Sequence, residues 1–184
     1  SYYLATFINT LIVCLVATIC SFIYIAIIGW YLSLVDVLLI FLDVIILVTF
    51  GTALSSIINY FLSSQGQMSA VGSIVSSCYG FICGAYMPIS SFPKVLQKVI
   101  SFLPGTYGTS LLRNHALNTV LQEIEQSGVN INLTNAVRDS IDCNIYFFNN
   151  KVEIWQMYLV LSVFVIGLLG IYVLINKYSK KKKL

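Results

Sequence analysis

From Tyr3 to Leu32 the sequence passes through thirty consecutive residues without one charged side chain. A helix of about 20 apolar residues crosses the hydrocarbon core of a bilayer, so this run holds one span with length to spare for tilt. Asn9, Thr10 and Thr18 interrupt it mildly. Trp30 and Tyr31 close it, and aromatic rings favour the boundary between lipid and water. The rest of the chain is of the same kind: 58% of residues are hydrophobic and 9% charged. A water-soluble domain of 184 residues has no use for so much apolar surface. The expectation is a single all-α integral membrane domain over 1–184, with spans at about 3–32, 35–62, 68–87 and 154–176. No secretory signal pattern opens the chain, and a first residue Ser1 reads as a fragment or a processed chain. The net charge of +3 arises at the lysine-rich end and is no argument for nucleic acid.

The second span returns directly after Ser33 and Leu34. It carries two acids, Asp36 and Asp43, seven positions apart and so on one helical face. Asp36 stands at the mouth, and Asp43 lies about 10 Å deeper at 1.5 Å per residue. An ionised carboxylate at depth costs about 3 kcal/mol or more, so Asp43 needs protein, water, a cation or a proton. Two roles fit: an acid lining a pathway or pairing in a gate, and an acid satisfied by a neighbouring helix or reaching the interface. Further along, Gly51, Ser55 and Asn59 form a small, polar stripe suited to helix packing. The uncharged turn Ser63–Gln67, with Ser64, Gln65 and Gln67, precedes a third span opening at Met68. There Gly72, Ser76, Gly80 and Gly84 recur at every fourth residue, a ladder for close helix contact within the chain or across a dimer.

After this span the pattern breaks. Pro88 stops the helix, Pro93 starts an amphipathic piece, and Pro104-Gly105 interrupts again before a restart at Thr106. In the middle piece Phe92, Val95, Leu96, Val99, Ile100 and Leu103 share one face, with Lys94, Gln97, Lys98 and Ser101 opposite. Short outer re-entrant helices over 91–118 are expected, lying at the surface or dipping into the bilayer. Lys94, Lys98 and Arg113 fall on the same membrane side as Asp36 and are available to pair with Asp36 or Asp43.

Residues 119–153 form the one sizeable hydrophilic stretch, an extracytoplasmic loop of one or two short helices split at Ser127-Gly128. Lys177 and the run Lys180 to Lys183 follow the last span, and basic residues beside a span favour the cytoplasmic side. The tail 177–184 is then inside, the Ser63–Gln67 turn inside, and Asp36 with 88–153 outside.

No P-loop is present, His115 stands alone, and no Cys-x-x-Cys or Gly-x-Ser-x-Gly occurs. Nucleotide binding in the P-loop manner, a metal site and an intramembrane enzyme are not expected. Cys14, Cys20, Cys78 and Cys83 read as small intramembrane apolar residues, and Cys143 as an outside thiol without an obvious partner.

Gly84-Ala85-Tyr86-Met87-Pro88, Phe92-Pro93 before an amphipathic helix, Leu103-Pro104-Gly105-Thr106-Tyr107 and Leu111-Leu112-Arg113 together resemble the permease subunit of type-2 ABC exporters. The resemblance implies the last four of that family's six spans, without its first two spans, interface helix and main coupling helix. It implies pairing into a homo- or heterodimer, a separate cytoplasmic ABC ATPase that holds ATP and magnesium, and no cofactor on this chain. It implies export of a drug, lipid, peptide or glycan across a bacterial cell membrane. Asp36, Asp43, Tyr86, Pro88, Pro104, Tyr107 and Arg113 become pathway or gate candidates, and Ser64, Gln65 and Gln67 a turn that grazes the ATPase. A non-transporting immunity or sensor component on the same fold is the alternative. An ion channel is disfavoured, since no charge-lined stripe or filter sequence is present.

Overall fold

A computed structural model describes residues 2–127, 131–148 and 150–181. Its order is α1 (Tyr2–Ile28), α2 (Leu34–Tyr60), α3 (Gln65–Ile82), a single 3-10 turn (Ile89–Ser91), α4 (Lys94–Ile100), α5 (Pro104–Gln126), α6 (Ile131–Ser140), a small hairpin of β1 (Tyr146–Phe147) and β2 (Asn150–Lys151), and α7 (Ile154–Lys181). The all-α membrane architecture expected from composition is what forms. Among the described residues three helices have the length and apolarity to cross a membrane: Tyr3–Ile28, Leu34–Tyr60 and Ile154–Tyr178. The remaining expected span is α3, which has 18 residues, is rich in Gly and Ser, and lies outside that group. Of the lysine run on which the expected orientation rests, 182 and 183 lie outside the described residues.

Local chemistry sets the helix starts. Ser33 caps α2 by accepting from the Asp36 N–H at 3.1 Å, and its own hydroxyl donates to the Asp36 carboxylate at 2.7 Å. A serine with an acid three residues on is a capping box readable from sequence, and Asp36 is part of it. Gly29, at φ +148°, lets the chain leave α1 and reach that cap. Ser64 and Gln67 form a second capping box, at 3.3 Å in both directions. Helix α3 therefore opens at Gln65, three residues before the expected Met68.

Two further expectations change. Helix α3 ends at Ile82, so the glycine ladder does not run its whole expected length. Gly72 faces open space, Gly80 lies under the Tyr86 ring, and Gly84 sits beyond the helix at φ +80°. The second change is larger. The chain does break before Pro104, as α4 ends at Ile100, but the second helix restarts at Pro104 rather than Thr106 and is not short. Pro104 occupies the first turn of α5, where a missing N–H costs nothing, and the helix continues for 23 residues to Gln126. Residues 119–126, expected in a loop, are its last turns.

Helix α2 packs on α1, α5 and α7, and α5 also packs on α7. The buried apolar centre is Tyr107 and Leu111 of α5, Ile145 beside the hairpin, and Met157 and Leu161 of α7. Helix α5 runs back along α2. Near its end, Asn118 and Thr119 bond Asp36 in the first turn of α2. Near its start, Gly108 lies so close to Leu47 that an added Cβ would stand 2.3 Å from a Leu47 methyl. Leu47 is about 20 Å along α2 from Leu34 at 1.5 Å per residue. Helix α5 thus starts level with the middle of α2 and runs back to its first turn.

Candidate functional site

A re-entrant segment in lipid is tolerated only where other protein groups satisfy its irregular backbone, because no water is there to do so. The bend between α3 and α5 meets that demand with side chains of α5. The Thr109 hydroxyl donates to the Cys83 carbonyl at 2.7 Å, Thr106 to Ile100 at 3.0 Å, and Tyr107 to Ser101 at 2.5 Å. The Arg113 guanidinium donates to the Gly84 carbonyl and, at 3.0 Å, to the Asp142 carboxylate. The same Asp142 oxygen accepts the Ile89 N–H at 2.8 Å. Tyr79 of α3 accepts from the Gly105 N–H at 3.1 Å, on the one face where α5 has no side chain to obstruct it. Gly84 is required here: a Cβ would meet Ile89 at 2.9 Å, and φ +80° suits no larger residue. The polar residues after Pro104 therefore have a common physical purpose, which is to pair the carbonyls and amides of the chain that precedes them.

One turn further along α5 lies a second polar group. Asp43 is 2% exposed and Asp36 1%. The His115 Nδ1 lies 2.6 Å from one Asp43 oxygen, and the Tyr158 hydroxyl donates to the other at 2.5 Å. The His115 and Tyr158 rings stack with centroids 6.1 Å apart. Asp43 thereby ties α2 to both α5 and α7. With the carboxylate ionised, His115 donates through Nδ1, which fixes its tautomer. Asp36 accepts from Asn118 and Thr119, both at 3.0 Å, besides its cap partner Ser33. The shared helical face of the two acids is thus the face that receives α5.

The structure separates the other sequence candidates. Arg113 pairs with Asp142 and with neither Asp36 nor Asp43; the reason is register, since Arg113 points to the bend while His115, Asn118 and Thr119 point to α2. Lys94 and Lys98 make no ion pair among the described residues. Tyr107 and Pro104 are buried in α5. Tyr86 is exposed against Phe81, and Pro88 is exposed ahead of the 3-10 turn. Ser64 and Gln67 are engaged in starting α3, with Gln65 its first residue. In α2 the buried small residues are Thr52, Ala53 and Ser56, one position on from the expected Gly51–Ser55 stripe. Asp142, Tyr158 and Asn118 were not singled out by sequence. A lone acid in a hydrophilic stretch and a tyrosine in a span carry no signal of their own, though Asp142 stands at φ +55°, a conformation that acids and amides adopt most readily.

Cys143 is a correction. The expected accessible outer thiol is 2% exposed. Burial raises its pKa above that of a free thiol, against a smaller lowering by Arg138 and Arg113. Its carbonyl accepts from Ser110 at 3.0 Å and Asn114 at 2.6 Å, which draws that segment onto α5. Native Cys143 will therefore resist a thiol reagent at neutral pH and react after unfolding. Ala136→Cys, on the exposed side of α6, supplies the accessible thiol instead.

Comparison with known proteins adds one match. A family model described as ABC-2 type transporter matches residues 1–116. The matched stretch holds α1 to α4, the whole bend, and α5 as far as Ala116. No curated protein matches, and no solved structure does.

Proposed function

As a member of the ABC-2 type transporter family, this chain is the membrane permease component of an ABC-type transporter, and from that premise we propose that it moves its cargo out of the cell with energy from a separate ATPase chain. The observation that carries the reading is α5. It is inserted from one side, roughly halfway along α2, and held there by the Asp43–His115–Tyr158 group. A helix seated this way closes one end of the span bundle. Moving it relative to α2 and α7 would open that end. Closure of two ATPase chains on the other side would supply the work, with ATP and magnesium bound there. The permease works as a pair of subunits in the cell membrane of a bacterium. The Ser63–Gln67 turn and the carboxyl terminus are cytoplasmic, and α4 to α6 belong to the outer side, with α5 dipping into the outer half of the bilayer. The cargo is a drug, lipid, peptide or glycan, since one scaffold serves all of these.

Two measurements test this. On intact cells an impermeant maleimide labels Ala136→Cys and leaves the parent chain, with its buried Cys143, unlabelled. Labelling of Ala136→Cys only after lysis reverses the orientation and removes the outward direction. In vesicles holding the permease and its ATPase, transport depends on ATP and stops when the chain is omitted. Export that survives deletion of the chain in cells leaves the immunity or sensor role. A current independent of ATP leaves a channel.

A further inference from the structure

We propose that the groove between the first turns of α7 and the hairpin holds one chain of an anionic membrane phospholipid, with its phosphate at Lys151. The groove has a volume of about 560 Å³. Phe102, Phe147, Val160, Leu159 and Phe164 make its wall, with Tyr107 at the back. Polar side chains gather near the hairpin, where Lys151, Asn150 and Gln156 line it. The site is thus apolar along the span and cationic at one end, which is the shape of a lipid rather than of a compact polar solute.

The surroundings favour the same occupant. Helix α7 is a span, with only 6% of its most apolar window buried. Leu159 is 53% exposed and Phe164 42%, so acyl chains are the medium in front of the groove. Trp155, 63% exposed in the first turn, marks the headgroup level. From Trp155 to Phe164 the helix descends about 13 Å at 1.5 Å per residue, which follows the direction of a lipid chain.

Charge supplies the complement. No carboxylate lines the groove, and none pairs with Lys151 among the described residues. An adjoining hollow of about 360 Å³ is lined by Lys94, Lys98, Gln97 and Tyr146, again without an acid, and Ser101 borders both spaces. Three cations therefore surround the aromatic cluster of Phe102, Phe147 and Phe148, whose rings meet at 4.9–6.0 Å. Each lysine near a membrane surface adds about 1 kcal/mol of attraction for anionic lipid. This inference rests on α7 as a membrane span and holds whether or not the permease exports.

Trp155 is the natural reporter. The full chain carrying Trp30→Phe, placed in phosphatidylcholine bilayers, is compared with a minor fraction of either brominated phosphatidylglycerol or brominated phosphatidylcholine. Trp155 is quenched by the anionic lipid at about one-fifth the concentration needed for the neutral one, a fivefold preference equal to about one lysine's contribution. Lys151→Gln removes most of the preference without touching the fold, because its exposed side chain has no ion pair in the described structure. Val160→Trp is avoided because it adds a second emitter; Val160→Phe fills the groove and lowers quenching by both lipids. Equal quenching by the two lipids overturns the proposal. So does a preference that survives Lys151→Gln, or a Trp155 that neither lipid reaches because a second copy covers it. Relief of quenching by a transported compound would reassign the groove to cargo.

Discussion

Asp43→Leu lowers the stability of the folded permease by about 3 kcal/mol, the cost of leaving one buried and one half-buried polar partner unpaired. The size follows from connectivity. Asp43 holds His115 of α5 and Tyr158 of α7 at once, and its side chain is fully shielded. Removing it strands an imidazole and a phenol in the same place. Against this stands the modest worth of ordinary hydrogen bonds between membrane helices, about 0.6 kcal/mol on average and about 1.7 at most. The two figures answer different questions. The smaller is the net value of a pair, the larger the cost of breaking one side of it. A double-mutant cycle separates them. Asp43→Leu with His115→Leu should be about 1–2 kcal/mol more stable than the two single losses predict. Tyr158→Phe should cost about 1 kcal/mol, one neutral donor. Reversible unfolding in mixed micelles gives all four numbers. Strict additivity between Asp43 and His115 would show that the contact ties nothing, and α5 would then be held on α2 by the Asp36 bonds and apolar packing. In transport assays Asp43→Asn is the informative change. It keeps an acceptor for Tyr158 while removing the charge, so normal transport with Asn assigns Asp43 to anchoring, and lost transport assigns it to the motion of α5.

Arg113→Ala is expected to loosen the bend between α3 and α5 and to cost about 2–4 kcal/mol. The Asp142 carboxylate, 5% exposed as a side chain, keeps only the Ile89 N–H, and the Gly84 carbonyl loses its donor. Two backbone segments and one acid are released by a single substitution. Arg113→Lys recovers part of the loss, since an ammonium replaces the charge but cannot serve a carboxylate and a carbonyl with one planar fork. Protease cleavage between 84 and 104 reads the bend directly, and the thermal midpoint reads the whole fold. Cleavage should rise in the order parent, Lys, Ala. If Arg113→Ala keeps both the protease resistance and the midpoint, the guanidinium is not what holds the bend, and Asp142 must be satisfied from elsewhere.

Much of this was legible beforehand, and for identifiable reasons. Apolar runs that long have one solvent in which they are stable, so the membrane class followed from Tyr3–Leu32 alone. The family followed from prolines, glycines and an arginine at spacings set by backbone constraint. Those residues specify geometry locally, and local geometry can be read without knowing neighbours. The two acids of α2 were placed on one face because helical period needs no tertiary information.

What could not be read is partner choice. Arg113 was available to Asp36 and Asp43 by membrane side, yet it pairs with Asp142 at 3.0 Å across 29 positions of chain. The helix expected to restart at Thr106 opens at Pro104 and runs on to Gln126, because its length is set by packing on α2 and α7 rather than by its own polar sequence. Cys143 was expected to be an accessible thiol and is buried, because Ser110 and Asn114 draw its segment onto α5.

The sequence by itself determined that the chain lives in lipid, where its three long apolar helices fall, and that an irregular segment follows α3. The tertiary structure alone decided that α5 lies back along α2 and that Asp43 meets His115 and Tyr158. The division has one cause. Solvent preference and backbone freedom belong to each residue, whereas the cost of a buried polar atom is settled only by the particular atom that comes to face it.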